Sequence, residues 1–301
     1  MSELTSPDFL RIDDSHPVCV SVNDMRLLKE AMTRWTSVSL DESKVYLVQN
    51  RLRRLFDETA CRSVDELLAL CRSQRGTSVR ESLIDALTTH ETYFFREREA
   101  IDWVAEHVVA EIRQRMSAAA SVTAPRMTVW CVGCSTGQEP ISLAIRLWQA
   151  IDDIERWKIR ILATDVSRGS IARAEAGWYD PIEVRRGLDE NAIGSFFQAT
   201  KDAGRTAYRV VPAIRRMIQY QCHNATEPIG NGFRSDLIIC RNMLIYFDPA
   251  TRERLFANFA RHANDHGWMM LGRSDCYRGG AAWTRRRPGR VTVYRRTADR
   301  P

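Results

Sequence analysis

The feature that most constrains this chain is a change of texture near residue 126. Before it, apolar residues recur at helical spacing and no strand pattern of any length is visible. In 23–35 (NDMRLLKEAMTRW), Met25, Leu28, Met32 and Trp35 share a face; in 43–56, Val45, Val48, Leu52 and Phe56 do the same. Ser63 with Glu66 reads as a capping box ahead of Leu67, Leu68 and Leu70, and 78–97 (SVRESLIDALTTHETYFFRE) reads as a further helical stretch. After residue 126 the pattern is strand, helix, strand. MTVWCVG (127–133), IRILATD (159–165), SDLIIC (235–240) and WMMLG (268–272) read as strands. PISLAIRLWQAI (140–151), SRGSIARAEAGWY (167–179) and PATRERLFANFARHA (249–263) read as helices, the second ending near Gly177. Such alternation predicts a largely parallel, doubly wound α/β sheet. The segment TAYRVVPAIRRMIQYQC (206–222) alternates in the β manner, so a small antiparallel insert is expected over about 180–220.

Four regions follow. Residues 1–20 are polar and acidic and read as a flexible arm; 21–88 form a helical domain; 89–125 hold a linker and a helix, with AASVTAP (119–125) as a junction; 126–301 form the α/β domain. No stretch approaches the roughly 20 apolar residues of a membrane span, and the start of the chain is unlike a signal peptide, so a cytoplasmic protein is expected. Oligomeric state leaves no mark on the sequence, and a monomer is the default expectation.

VGCSTGQEP (132–140) occupies the place after the first strand where open α/β sheets bind ligands. Gly133 and Gly137 allow a tight turn, and the helix that follows offers free N–H groups to the same cleft. The loop is neither G-x-G-x-x-G nor a Walker loop, which disfavours NAD and nucleotide phosphates. Asp165, closing the second strand, fits either a loop cap or the two hydroxyls of a ribose. With the glycine-rich loop ahead of it, an adenosine without phosphate is favoured, which points to S-adenosylmethionine.

Cys131-x-x-Cys134 overlaps this loop. Eight cysteines are scattered along the chain, and no second close pair or spaced histidine pair completes a zinc site. Cys131 lies within an apolar run, unlike a redox pair at a helix start. Reduced thiols and no metal are expected. The net charge of +6 permits nucleic acid or an acidic protein surface as partner.

Four stretches together, LTTHETYFFRE (87–97), GCSTGQEPISLA (133–144), ILATDVS (161–167) and IICRNMLIYFDP (238–249), resemble the chemoreceptor glutamate methyltransferases of the CheR family. The resemblance is collinear from about Asn23 to Tyr294. It implies a small helical domain, then a Rossmann-like methyltransferase domain with an inserted β-subdomain. It also implies esterification of specific glutamates on the cytoplasmic helices of methyl-accepting chemoreceptors, with S-adenosylmethionine as cofactor and S-adenosylhomocysteine as product.

By this resemblance His90, Thr92, Arg96, Glu139, Asp165, Asn224, Ala225, Arg241 and Asn242 fall on cofactor-binding positions, and Arg96 and Tyr246 on catalytic ones. Arg51, Arg53 and Arg54 would dock the acidic receptor helices. Two departures stand out: Gln138 in place of the first acid of T-G-E-E-P, and GRSDCY (272–277) in place of the commoner G-H-S-E. Nucleic acid is not expected, because RNMLIYFDP lacks the Pro-Pro of the amino-methylating D/N-P-P-Y/F motif. A glutamate is already ionised at neutral pH, so no general base is needed. Arg96 is expected to orient a carboxylate and Tyr246 to aim its hydroxyl at the reacting end.

Overall fold

The computed structural model describes residues 19–118, 124–202, 205–277 and 281–297. The expected arm lies outside them as far as residue 18, as do residues 119–123 of the expected junction.

The first domain is four helices: α1 (Val22–Thr36), α2 (Val45–Thr59), α3 (Val64–Arg72) and α4 (Thr77–Leu87). Ser21 caps α1 in a reciprocal box with Asp24. Ser63 accepts from Glu66 N–H at 3.2 Å as expected, but the Glu66 carboxylate reaches one residue further back, to Arg62 N–H at 2.8 Å. Met25, Leu28, Met32, Leu52, Leu67 and Leu83 are fully buried in a core of this domain's own.

The helix read through 78–97 stops at Leu87. Beyond it the chain turns, with Phe95 and Glu97 at φ 53° and 52°. The reason is tertiary. Phe94 and Phe95 are buried in the core of the second domain, and Phe95 N–H donates to Ser142 Oγ at 2.9 Å instead of to a helical carbonyl. A continuous helix resumes as α5 (Arg98–Trp103), passes through a π turn at Val104–Val108, and continues as α6 (Val109–Ala118). On α6, Glu111 grips Arg295 with two hydrogen bonds of 2.6 and 2.7 Å and accepts from Trp268 Nε1 at 2.9 Å.

The second domain runs β1 (Arg126–Val132), α7 (Gln138–Ala150), β2 (Lys158–Asp165), α8 (Arg168–Ala176), β3 (Trp178–Tyr179), α9 (Pro181–Arg185), α10 (Glu190–Phe196), β4 (Phe197–Asp202), β5 (Arg205–Val210), α11 (Pro212–Arg215), β6 (Ile218–Cys222), β7 (Ser235–Cys240), α12 (Pro249–His262), β8 (Ala263–Leu271), β9 (Trp283–Arg286) and β10 (Val293–Arg296). Seven strands form one sheet in the order β6-β2-β1-β7-β8-β10-β9. Its first five are parallel; β10 runs antiparallel to both β8 and β9. β1 reads as a continuous apolar run because both its faces are covered. Val129 and Cys131 enter one core, Trp130 and Val132 the other. The buried Trp130 N–H is satisfied by Thr164 Oγ1 at 3.0 Å.

β3, β5 and β4 form a separate antiparallel sheet, the expected insert. Its bounds need correcting. Ile218–Cys222 does not belong to it but pairs in parallel with β2, from Ile161↔Ile218 to Asp165↔Cys222. The half-buried alternation of RMIQYQC suits either edge, and the turn of α11 delivers the strand to the large sheet. Among the described residues, no helix is long and apolar enough to cross a membrane.

The two domains meet along a seam. Gly169 N–H donates to Asp85 Oδ2 at 3.0 Å, and Arg168 pairs with Glu81 at 2.8 Å. Asn224 Nδ2 donates to Ser37 Oγ at 3.2 Å, Ser37 Oγ lies 3.0 Å from Thr226 Oγ1, and Ser39 N–H donates to the Tyr246 carbonyl at 2.9 Å.

Candidate active site

Strand order reverses at β1, with β2 on one side and β7 on the other, so a crevice opens beyond the carboxyl ends of these strands. The loop from β1 to α7 lines it. Gly133, Ser135 and Gly137 all have positive φ, 68°, 50° and 97°. A Cβ at Gly133 would lie 2.2 Å from Met243 Sδ; one at Gly137 would lie 2.9 Å from the Tyr179 hydroxyl. Both glycines are therefore favoured by conformation, and Gly137 by space as well, since Ala174 Cβ lies 3.0 Å from the same point and Tyr179 is buried; at Gly133 the neighbour is the flexible Met243 side chain. Asp165 ties the loop down, accepting Ser135 N–H at 2.8 Å on one oxygen and Ser167 N–H at 2.9 Å on the other. Burial pushes its carboxyl above the ordinary range, against the pull of those two N–H groups.

Cys131 and Cys134 are buried, and burial pushes both thiols far up. They are packing residues of the strand and the loop, since reactive or metal-binding cysteine needs the thiolate. Among the described residues, no group of His, Cys, Asp and Glu is arranged to hold a metal ion.

A cavity of about 490 Å³ fills the crevice, with walls from both domains. That is within the range of small-molecule sites. Thr92, Arg96, Glu139, Asp165, Asn224, Ala225, Arg241, Asn242 and Tyr246 line it, joined by Arg51 from α2. Three expected residues do not. The His90 ring turns into the domain seam, with Nδ1 2.8 Å from Ser170 Oγ and Nε2 3.0 Å from the Asp85 carbonyl. Its ring therefore braces the seam, and its carbonyl accepts from Ser135 Oγ at 3.1 Å. Arg53 and Arg54 are exposed on α2, and Arg54 pairs with Glu58 at 2.7 Å.

The lining residues play distinct parts. Arg241 is a buried bracket: it donates to Glu139 Oε2 at 2.7 Å, approaches Glu97 Oε2 at 3.3 Å, and donates to the Arg96 carbonyl. Burial raises the Glu139 carboxyl, and Arg241 opposes that shift. Arg96 is differently placed. It spends one N–H on the Glu91 carbonyl at 2.9 Å and lies over the Tyr93 ring, and among the described residues no carboxylate pairs with it. Asn224 fixes its side chain through Thr226 and Ser37, which sets the wall it shares with Ala225. Tyr246 sits on a 3-10 turn, Leu244–Tyr246, and no described residue hydrogen-bonds its hydroxyl.

Sequence reasoning missed Asp275 and Glu97. Asn242 holds a left-handed conformation, φ 57°, and its N–H donates to Asp275 Oδ2 at 2.5 Å. Gly272 N–H shares the same oxygen at 3.2 Å. The departure GRSDCY thus keeps a carboxylate that pins the turn carrying Arg241, Asn242 and Tyr246. The acidic residue of that motif was the available signal.

The walls suit a phosphate-free adenosine ligand. Each Asp165 oxygen has accepted one N–H and keeps a lone pair for a ribose hydroxyl, and Arg96 has N–H groups to spare for a carboxylate.

Two family models match the chain: CheR methyltransferase, all-alpha domain, over residues 23–88, and CheR methyltransferase, SAM binding domain, over residues 90–292. The chain belongs to the CheR methyltransferase family. The CheR chain is 30% identical over 259 residues to "Chemotaxis protein methyltransferase 1" of Pseudomonas aeruginosa, covering 84% of this chain and 89% of that protein. It is 28% identical over 263 residues to "Chemotaxis protein methyltransferase Cher2" of Pseudomonas putida, covering 85% and 91%. It is 30% identical over 262 residues to "Probable chemotaxis protein methyltransferase" of Rhizobium etli, covering 86% and 94%. A solved magnesium protoporphyrin IX methyltransferase of Synechocystis is 13% identical and covers 91% of this chain and 97% of its own, with a TM-score of 0.35. This CheR chain is thus a protein methyltransferase that uses S-adenosylmethionine.

Proposed function

We propose that this enzyme methylates glutamate side chains on the cytoplasmic helices of a chemoreceptor, giving glutamate methyl esters and S-adenosylhomocysteine. The observation that carries the reading is the character of the cavity wall. Among the described residues no histidine or cysteine lines it, and each carboxylate of the lining is engaged: Glu139 with Arg241, Asp165 with the loop, Glu91 with Arg186, and Asp41 with Ser43 and Lys44. An amine or hydroxyl nucleophile would need a base to take its proton. A carboxylate with an ordinary pKa near 4.3 needs none. The names of the curated relatives place the methylation in chemotaxis.

Bound S-adenosylmethionine supplies an electrophilic methyl group; the chain supplies position and field. Asp165 holds the ribose end, with Thr92, Glu139, Asn224, Ala225, Arg241 and Asn242 shaping the rest of the pocket. Arg96 orients a carboxylate through its planar fork. The Tyr246 hydroxyl, without a hydrogen-bond partner among the described residues, donates to the reacting carboxylate and fixes its approach. Of the three basic residues on α2, Arg51 lines the cavity, while Arg53 and Arg54 are exposed on the helix outside it, where they would meet the flanks of an acidic receptor helix. The reading carries a cytoplasmic location and action as a monomer.

The test is transfer of radiolabelled methyl to a chemoreceptor cytoplasmic fragment, followed by mild alkali. Label released as methanol establishes carboxyl esters. Base-stable label, or label on nucleic acid, overturns the reading.

A further inference from the structure

Five large apolar side chains stand exposed among the described residues: Val22, Tyr46, Leu47, Ile182 and Ile245. Single exposed apolar residues are ordinary. Two of these five line the catalytic cavity. Leu47, 42% exposed, comes from α2 of the helical domain; Ile245, 59% exposed, comes from the 3-10 turn next to Tyr246. Tyr46, 78% exposed, adjoins Leu47. The entrance to the cavity is therefore apolar on surfaces contributed by both domains.

The charges around it are mixed: Asp41 and Glu91 line the cavity with Lys44 and Arg51, but Asp41 is paired with Lys44 and Glu91 with Arg186, which leaves Arg51 as the lining cation of α2 without a carboxylate partner among the described residues. Lys44 and Arg51 line the same cavity, and Leu47, Arg51 and Arg54 recur at steps of four and three residues, one stripe of α2. Arg51 spends a single N–H on the Thr88 carbonyl at 3.1 Å. Apolar contacts beside Arg51, whose remaining N–H groups face no carboxylate among the described residues, complement a helix that carries apolar and acidic residues on one face.

We propose that Leu47 and Ile245 form an apolar clamp on the protein substrate, gripping residues one helical turn from the glutamate that enters the cavity. This inference rests on the reading of the substrate as a helix-borne glutamate. On such a helix, residues three or four positions from the glutamate share its face, about 5–6 Å away between Cβ atoms. A glutamate that reaches Tyr246 thus brings those neighbours against the lip. A glutamate flanked by polar residues at those positions gains only the basic stripe. The clamp selects among glutamates, whereas the arginines attract acidic helices in general and weaken as salt rises.

The experiment uses the full chain, a receptor cytoplasmic fragment and the variants Leu47→Ser, Ile245→Ser and the double. The KM for the fragment is expected to rise roughly tenfold in the double variant, with the loss on KM rather than on kcat. The ratio to wild type should be the same at low and high salt, since the lost contact is apolar. Affinity for S-adenosylhomocysteine, measured by calorimetry, should change less than about twofold. Replacing the apolar residues one turn from a methylated glutamate by Ser should raise the wild-type KM and add little in the double variant, because both changes remove one contact. An unchanged KM, or an equal fall in cofactor affinity, overturns the clamp while wild-type methylation still upholds the substrate reading. Absence of ester formation by the wild type overturns that reading and the clamp with it.

Discussion

Arg241 and Tyr246 lie five residues apart on one turn and are used in opposite ways. The Arg241 side chain is 1% exposed and spends both terminal nitrogens on protein acceptors. Removing it leaves Glu97 and Glu139 without their cation. Arg241→Met is expected to destabilise the fold by about 3 kcal/mol, the scale of a broken buried pair, in urea denaturation. Arg96→Met, which breaks no ion pair, should change stability by under about 1 kcal/mol yet lose turnover. If the two variants unfold alike, the assignment of bracket and orienting residue is wrong. Tyr246→Phe deletes a hydroxyl that no described residue uses, so cofactor affinity should persist while kcat falls roughly 10²-fold. Unchanged turnover would remove Tyr246 from the chemistry.

At the level of elements, local signals were legible and partner choice was not. The helices of the first domain declared themselves through face periodicity, and β1, β2, β7 and β8 through apolar runs between turns. The helical reading of 88–97 failed because burial of Phe94 and Phe95 in the other domain outweighed local propensity. β6 was assigned to the wrong sheet because alternation names a face, not a neighbour. β9 and β10 went unread, their arginine-rich strands carrying little apolar pattern; β10 joins the sheet by pairing with β8, with Arg295 held by Glu111. In the site, Asp165 and the glycines were legible from the loop; the pairing of Asn242 with Asp275 was not, because 33 residues separate them. One capping signal gives a clean test. Asp248 caps α12 by accepting Thr251 N–H at 2.7 Å, and that bond holds its carboxyl below the ordinary 3.8. Its contribution is present above about pH 4 and is lost as pH falls through the lower folded value. Asp248→Ala should therefore destabilise by about 1 kcal/mol at neutral pH. The gap to wild type, followed by thermal melts, should narrow in acid; a gap that widens there would contradict the cap.

The whole molecule is two domains joined at a binding cavity. The segment from Thr36 to Arg51 supplies part of its wall, and Ser39 N–H holds the Tyr246 carbonyl. A ligand in the cavity should thus stabilise both domains. Added S-adenosylhomocysteine is expected to slow amide exchange in residues 37–44 as well as in 133–137; protection confined to the second domain would show that the helical wall takes no part. The seam also bears on how such enzymes diversify. Grafting the helical domain of another receptor's methyltransferase onto this catalytic domain would look like the direct route to a new target. Yet Ser37 must meet Asn224 and Thr226, Asp85 must meet Gly169, and Glu81 must meet Arg168. A chimera that ignores those matches would inherit the new address and lose the pocket, so the two halves are bound to change together.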